Sequence, residues 1–582
     1  MASAHKLLGD FDMARMRTRI FGLGAMLLAA TALAAPASAA APVAVTAPPV
    51  PRLIVAISVD QFSAALFDQY RSRFTGGLKT MADHGVVFPN GYQSHAATET
   101  CPGHSTILTG RHPSATGIVA NSWYDHATKA QVYCLLDPAS PVPGRPDAPR
   151  GPANLKVPTL GEWLKAANPA SRTFAVSGKD RGAINMAGHG ADGTFWWDDT
   201  NGGFTTYVPA GMNEAARLAP VVAYNAALAA KWLKAAPKWV PLDPKCKVDL
   251  GPRRYGRLTV DDELPPLGWI APKPGTDFSK DKYFQSWLRA SPIYDQIALD
   301  LATQLIATQK LGQGAAPDVL AISLSATDYV GHRYGAESAE QCDNLAHLDA
   351  MLGVFLGKLE ALKVPVLVVL TADHGGVDVA ERAAMRGMPA VRVNPKTFMT
   401  EVGAAVQADL KLDASPLAGD PYEITIVPPE GADAKLVERI TAATIAELHK
   451  RPEVVDVYTK AQALAGLPPK GKPVDELTVL ERIAESTDPV RSGDIMAVLQ
   501  PYTTLGDPQS LGDTVAGHGS VWNYDRRVPI LFWWPGAAGF EQSLPVETVD
   551  IAPTLAAVVG VKTPVVDGRC LDLDRGEATT CK

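Results

Sequence analysis

The sequence predicts an α/β fold: a mostly parallel central sheet with helices on both faces and insertions that form a cap. Three observations carry that expectation. The run 53–59 is continuously apolar and β-branched and stops abruptly at Asp60, the pattern of a strand buried on both faces. The same pattern returns at 319–324, shortly before Asp328, and at 364–370, just before Asp373 and His374. Helix-like stretches lie between these runs: Ser291 and Pro292 read as N-cap and first helical position of one, and another spans about 336–362. In sheets built this way ligands bind beyond the carboxyl ends of the strands, where all three runs deliver their acids.

Upstream of the first strand, Arg15, Arg17 and Arg19 precede an apolar run over 20–35, and Ala37-Ser38-Ala39 supplies the small residues that a signal peptidase needs. Residues 1–39 are therefore expected to be a signal peptide and 40–51 a Pro/Ala linker. The apolar run is shorter than the ~20 residues of a membrane span and ends at Pro36, which predicts a periplasmic or secreted protein with no stable membrane anchor, a retained anchor being the alternative reading. A single catalytic domain is expected over 52–582, with insertions at about 124–292 and 394–491. The first is rich in Pro, Gly and Trp. The second carries strand-like runs at 423–427 and 454–458 around a helix-like run at 434–449, after which the core is expected to resume with 494–499 and 528–534.

Six cysteines in an exported chain can pair. Cys570 and Cys581 are close enough in sequence to pin the tail, whereas Cys101, Cys134, Cys246 and Cys342 leave three pairings open; packing is the simpler reading of Cys342 and of its helical neighbour His347. A formal net charge of −7 gives no basic surface for nucleic acid, and none is expected to bind. Phosphate chemistry on this chain would have to rely on local positive charge.

The strongest local signal is Thr98-Glu99-Thr100-Cys101-Pro102-Gly103-His104-Ser105, with Asn121 following Gly117. A hydroxyl at a tight turn into a helix has its oxygen exposed where the helix N-terminus favours an anion. Alone, Thr100 reads equally well as a helix cap. Metal-type residues shift the balance. Asp328 and His332, four apart, share one face of a helix; Asp373-His374-Gly375-Gly376 puts a carboxylate and an imidazole at a strand end; and His518 stands between Gly517 and Gly519. Carboxylates and imidazoles without thiolates suit zinc, and can hold a pair of ions about 3.5–4 Å apart.

With these motifs the sequence resembles the alkaline phosphatase superfamily, over a span from Asp60 to His518. The relatives' nucleophile turn, Thr-x-Pro-x-His, stands here as Thr100-Cys101-Pro102-Gly103-His104. The resemblance implies two zinc ions per chain, one among Asp60, Thr100, Asp373 and His374, the other among Asp328, His332 and His518. It also implies that the Asn121 amide contacts a phosphoryl oxygen. The segment Ser177-Gly178-Lys179-Asp180-Arg181 looks like the Lys-x-Arg pair of the phosphate-irrepressible, PafA-type monoesterases, which use a threonine nucleophile. An ammonium and a guanidinium fork suit the dianionic phosphoryl group of a monoester, although out of context Lys179 and Arg181 would read as a solvated loop with Asp180 as a surface partner. The implied activity is hydrolysis of small phosphate monoesters through a phosphothreonine. The alternatives are a nucleotide pyrophosphatase or phosphodiesterase, which lacks the Lys-x-Arg pair, and a non-catalytic periplasmic zinc-binding protein, which needs neither the cations nor Thr100. A sulfatase is disfavoured because Cys101 runs directly into Pro102, leaving no Cys-x-Pro-x-Arg motif.

Overall fold

Strand β1 (Leu53–Val59) alternates its side chains between two cores. Leu53, Val55, Ile57 and Val59 pack with helices α3 (Pro292–Thr308) and α5 (Ala339–Ala361) on one face of the sheet. Ile54 and Ala56 pack with helices α1 (Thr100–Ile107) and α2 (Asp180–Ala187) on the other. Apolar residues at every position are what a strand covered on both sides requires. This computed structural model describes residues 47–246, 253–260, 264, 277, 281–510, 512–576 and 579–581. The expected signal peptide over 1–39 and most of the linker lie outside the described residues.

The other strands of the main sheet are β2 (Val86–Tyr92), β3 (Thr173–Ser177), β4 (Gly193–Asp198), β5 (Gly203–Thr205), β6 (Asp318–Leu324), β7 (Val366–Thr371), β8 (Arg527–Trp533), β9 (Phe540–Glu541) and β10 (Val546–Glu547). Their order is β9-β2-β8-β7-β1-β6-β3-β4-β5, with β10 also beside β2. The five adjoining strands β7, β1, β6, β3 and β4 run parallel, while β8 is antiparallel to both β7 and β2. Register decides where their ends fall. Val59 lies level with Leu324, and Ser58 with Thr371, so the three central strands end at one height.

Two expectations change. The stretch 124–292 reads in the sequence as an insertion, yet strands β3, β4 and β5 of the main sheet come from it, as does α2, which packs on that sheet. The buried run Phe174-Ala175-Val176 is too short to stand out among the surrounding Pro, Gly and Trp residues. Conversely, the run 494–499 does not return to the core. Ile495–Leu499 joins Leu417–Gly419, Ile424–Ile426 and Val454–Thr459 in a separate four-stranded sheet, pairing antiparallel with the last of these. Burial pattern announces a strand but not its partner. A smaller difference is at Ser291, whose hydroxyl donates back to the Leu288 carbonyl at 2.8 Å instead of capping α3. Among the described residues no helix is long and apolar enough to cross a membrane.

Disulfides join Cys101 to Cys134, Cys246 to Cys342 and Cys570 to Cys581. The packing reading of Cys342 is therefore corrected to a covalent one: it fastens α5 to the 124–292 stretch. Chain-entropy reasoning makes the 96-residue separation of the second bridge worth about 5 kcal/mol and the 11-residue separation of the third about 3 kcal/mol. Urea unfolding of Cys246→Ser/Cys342→Ser should accordingly show a larger loss of stability than Cys570→Ser/Cys581→Ser.

Candidate active site

Because the central strands end level, their first loop residues meet. Asp60 follows β1, and Asp373 and His374 follow β7. Asp328 and His332 lie one turn apart on helix α4 (Ala326–Tyr334), just after β6, and His518 arrives from the loop before β8. Two groups result, Asp60 with Asp373 and His374, and Asp328 with His332 and His518, and within each group the donor atoms all lie within 4.8 Å of one another. The His374 Nε2 is 3.4 Å from both Asp60 Oδ1 and Asp373 Oδ2. The Nε2 atoms of His332 and His518 are 3.2 and 3.5 Å from Asp328 Oδ1. Stacking of the His374 and His518 rings, centroids 3.7 Å apart, brings the two groups side by side.

The imidazoles are set up as ligands. His332, His374 and His518 each donate Nδ1–H to a backbone carbonyl, of Ala516, Gly375 and Thr98 respectively, at 2.8 Å. A carbonyl can only accept, so each neutral ring keeps its lone pair on Nε2. Burial holds His374 and His518 below the usual imidazole range and so keeps them neutral. At His332 burial acts the same way, but the Asp328 carboxylate outweighs it and raises the ring. Asp60 Oδ1, His374 Nε2 and Thr100 Oγ1 are all buried without a hydrogen-bond partner, while Asp373 Oδ2 lies 3.0 Å from His104 Nδ1. Buried polar atoms are rarely left so, and a donor set of carboxylate oxygens, imidazole nitrogens and one hydroxyl fits divalent cations.

Thr100 is the first residue of α1, with Glu99 at the N-cap position but making no side-chain cap bond. His104, one turn on, donates Nδ1–H to the Thr100 carbonyl and accepts from the Ser323 hydroxyl, both at 2.9 Å, so it braces the turn. The helix lies hard against β7's end: a Cβ on Gly103 would fall 2.0 Å from the Asp373 carbonyl oxygen. Asn121 stands beside Thr100, its Oδ1 accepting the Cys101 N–H at 2.9 Å while its own N–H donates to Glu99 Oε2 at 2.6 Å. Burial, with the Asp420 charge adding to it, pushes the Glu99 carboxyl up to about 7.

Lys179 and Arg181 do not form the solvated loop that their local sequence suggests. The Lys179 ammonium is buried and lies 2.6 Å from Asp60 Oδ2 and 2.5 Å from Asp328 Oδ2, one carboxylate from each group. Its Nζ also sits over the Tyr329 ring, 4.8 Å from the centroid. Burial opposes its charge, but the two carboxylates raise it above the ordinary lysine range. Asp180 is taken up elsewhere, accepting from the Tyr133 hydroxyl at 2.7 Å and from Arg150 at 2.9 Å. Arg181, on the first turn of α2, lies among Tyr133, Tyr329, Asp180 and Asp60, which hold its guanidinium charged against burial. The structure thus sets Lys179 between the two donor groups and Asn121 against the first turn of α1. Sequence reasoning missed Gln61, Glu99 and Tyr329, each beside a residue that it did single out. A cleft of ≈ 330 Å³ opens next to Asn121, lined by Glu99, Trp123, Tyr124, Asp420 and Glu423 among others.

A family described as type I phosphodiesterase / nucleotide pyrophosphatase matches residues 54–520. Alkaline phosphatase PhoD of Zymomonas mobilis is 42% identical over 548 residues, which cover 91% of this chain and 89% of that protein. The chain belongs to the alkaline phosphatase superfamily. Alkaline phosphatase PhoK of a Sphingomonas species is 41% identical over 544 residues, covering 91% of this chain and 92% of that one. A crystal structure of alkaline phosphatase PafA matches with a TM-score of 0.77 at 27% identity, covering 91% of this chain and 100% of that one. A second PafA structure, TM-score 0.76 at 26% identity over 90% and 99% of the two chains, carries substitutions at a Thr, an Asn, a Lys and an Arg, in that order. The close seat of α1 leaves no room for a side chain at Gly103. Gly103→Ala should therefore force α1 away from Asp373, costing about 1–3 kcal/mol of stability and lowering metal content, both measurable by denaturant titration and elemental analysis.

Proposed function

We propose that this protein is an exported alkaline phosphatase that hydrolyses small phosphate monoesters through a phosphothreonine formed on Thr100 at a two-zinc site. The observation that carries the reading is the burial of Lys179 between the two donor groups, on a chain that also leaves the Thr100 hydroxyl buried and unpartnered. Asp60, Asp373, His374 and Thr100 would hold one zinc and Asp328, His332 and His518 the other. When bound, the ions supply positive charge that lowers the pKa of the attacking hydroxyl and stabilises the departing oxygen.

The chain's own groups do the rest. The Thr100 oxygen gives up its proton to solvent and attacks phosphorus in line, forming the Thr100–O–P bond as the P–O bond to the alcohol breaks, and that oxygen leaves with the electron pair and takes a proton from water. Lys179, Arg181 and the Asn121 amide neutralise and orient the non-bridging oxygens, which is where most of the acceleration in phosphoryl transfer arises. Water then attacks phosphorus from the vacated side, releasing inorganic phosphate and restoring the hydroxyl. His104 and Ser323 keep the Thr100 turn fixed through both steps. Three disulfides and the arginine-led apolar run before Pro36 support an oxidising location such as the periplasm.

The diesterase reading shares the metal groups and the threonine, so the cation pair separates the two. Charge-assisted contacts are worth about 1.5–3 kcal/mol each, and the Lys179→Ala/Arg181→Ala variant should lose on the order of a hundredfold or more in kcat/KM on an aryl monoester. A matched diester, with one of those oxygens esterified, should lose much less; equal losses would remove the monoesterase assignment. Treatment with a chelator should abolish turnover, and zinc should restore it better than magnesium because three of the ligands are imidazoles. Full turnover by protein shown to be metal-free would end the two-ion mechanism.

A further inference from the structure

Gln61 follows Asp60 directly, yet it touches both donor groups. Its main-chain N–H donates to Asp373 Oδ1 at 3.2 Å, and its side-chain Nε2 donates to Asp328 Oδ1 at 3.0 Å. The residue is 2% exposed. Its φ of +65° lies in the left-handed region, where side chains other than Gly, Asn and Asp are uncommon and a backbone cost is incurred. Glycine at this position would avoid that cost, so the side chain must contribute something that offsets it.

The surroundings are shaped to the carboxamide. A Cβ on Gly331, in helix α4, would fall 1.8 Å from Gln61 Oε1, and a Cβ on Gly376 would fall 2.8 Å from Gln61 Cδ. The amide is threaded between the helix that carries Asp328 and His332 and the loop that follows His374. The oxygen it reaches, Asp328 Oδ1, is the one that faces the Nε2 atoms of His332 and His518. A neutral amide fixes the plane of that carboxylate without spending its negative charge. Lysine or arginine there would compete with a cation for the carboxylate, and glutamate would repel it.

We propose that Gln61 is a positioning residue that locks the two donor groups in register and sets the affinity of the Asp328, His332 and His518 group for its divalent cation. The inference rests on the reading of the two donor groups as a two-cation site. Outer hydrogen-bond partners of metal ligands govern affinity by about 10–100-fold. Gln61 differs from Lys179, which also spans the groups, in carrying no charge. It can therefore hold its geometry whether or not cations are bound.

The test uses the full chain and zinc alone as probe. Wild type, Gln61→Met and Gln61→Gly would be loaded with zinc and titrated with a competing chelator, the zinc retained per chain being read by elemental analysis. Gln61→Met keeps length and loses the donor, whereas Gln61→Gly also eases the backbone, so a shared defect cannot come from strain. Wild type should retain two ions, and both variants should lose one of them at about 10–100-fold lower chelator while the other is held as in wild type. Unchanged retention, or equal weakening of both ions, would overturn the role of Gln61 and leave the two-zinc site standing. Wild type that never holds two ions would overturn the site reading and the inference with it.

Discussion

Three carboxylates, Asp60, Asp328 and Asp373, are buried together at the ends of adjoining strands, and they cannot coexist there without positive charge between them. Burial and the neighbouring Asp373 charge hold the Asp60 carboxyl well above its usual range. Asp328 is held below its range despite burial by His332 and Lys179, and Asp373 lies below its own beside His374, His104 and Lys179. Removing charge from water costs several kcal/mol per ion unless it is paired, so the cluster would be a liability in a protein with no use for it. The rest of the molecule is arranged around this requirement. The order β7-β1-β6 makes the three acids neighbours, the common strand register brings them to one height, and carbonyls from three separate loops turn the imidazoles to face them.

How much of this was legible in the sequence depends on the range of the interaction. The strands before Asp60, Asp328 and Asp373 declare themselves as unbroken apolar runs, and the four-residue spacing of Asp328 and His332 is realised on a helix. Strand partnership is a different kind of fact. The runs at 173–177 and 495–499 are both fully buried, and nothing within either distinguishes the main sheet from the inserted one. The pairing of Cys101 with Cys134 and of Cys246 with Cys342 is likewise settled only in three dimensions.

The site residues divide the same way. Thr100 and the metal-type residues are marked by their own motifs, whereas Lys179 and Arg181 gain meaning only from a family resemblance, since a Lys-Asp-Arg tripeptide is ordinary surface sequence. Gln61 carries no signal of its own beyond adjacency to Asp60, because the groups it holds lie 267 and 312 residues away. Glu99 is similar: its contact with the Asn121 N–H depends on the chain doubling back after α1.

The inserted four-stranded sheet reaches the cleft without supplying any of the charge-balancing residues. Asp420 and Glu423 lie in the turn between two of its strands and line the cleft beside Asn121, while every member of the two donor groups comes from outside that sheet. One wall of the cleft is thus carried by the inserted sheet and the other by the segment from Glu99 to Gln131, while the two donor groups owe nothing to that sheet. Drift in the inserted sheet can reshape that wall without altering any member of the two donor groups, a modularity that offers a place to vary the surface around an unchanged scaffold.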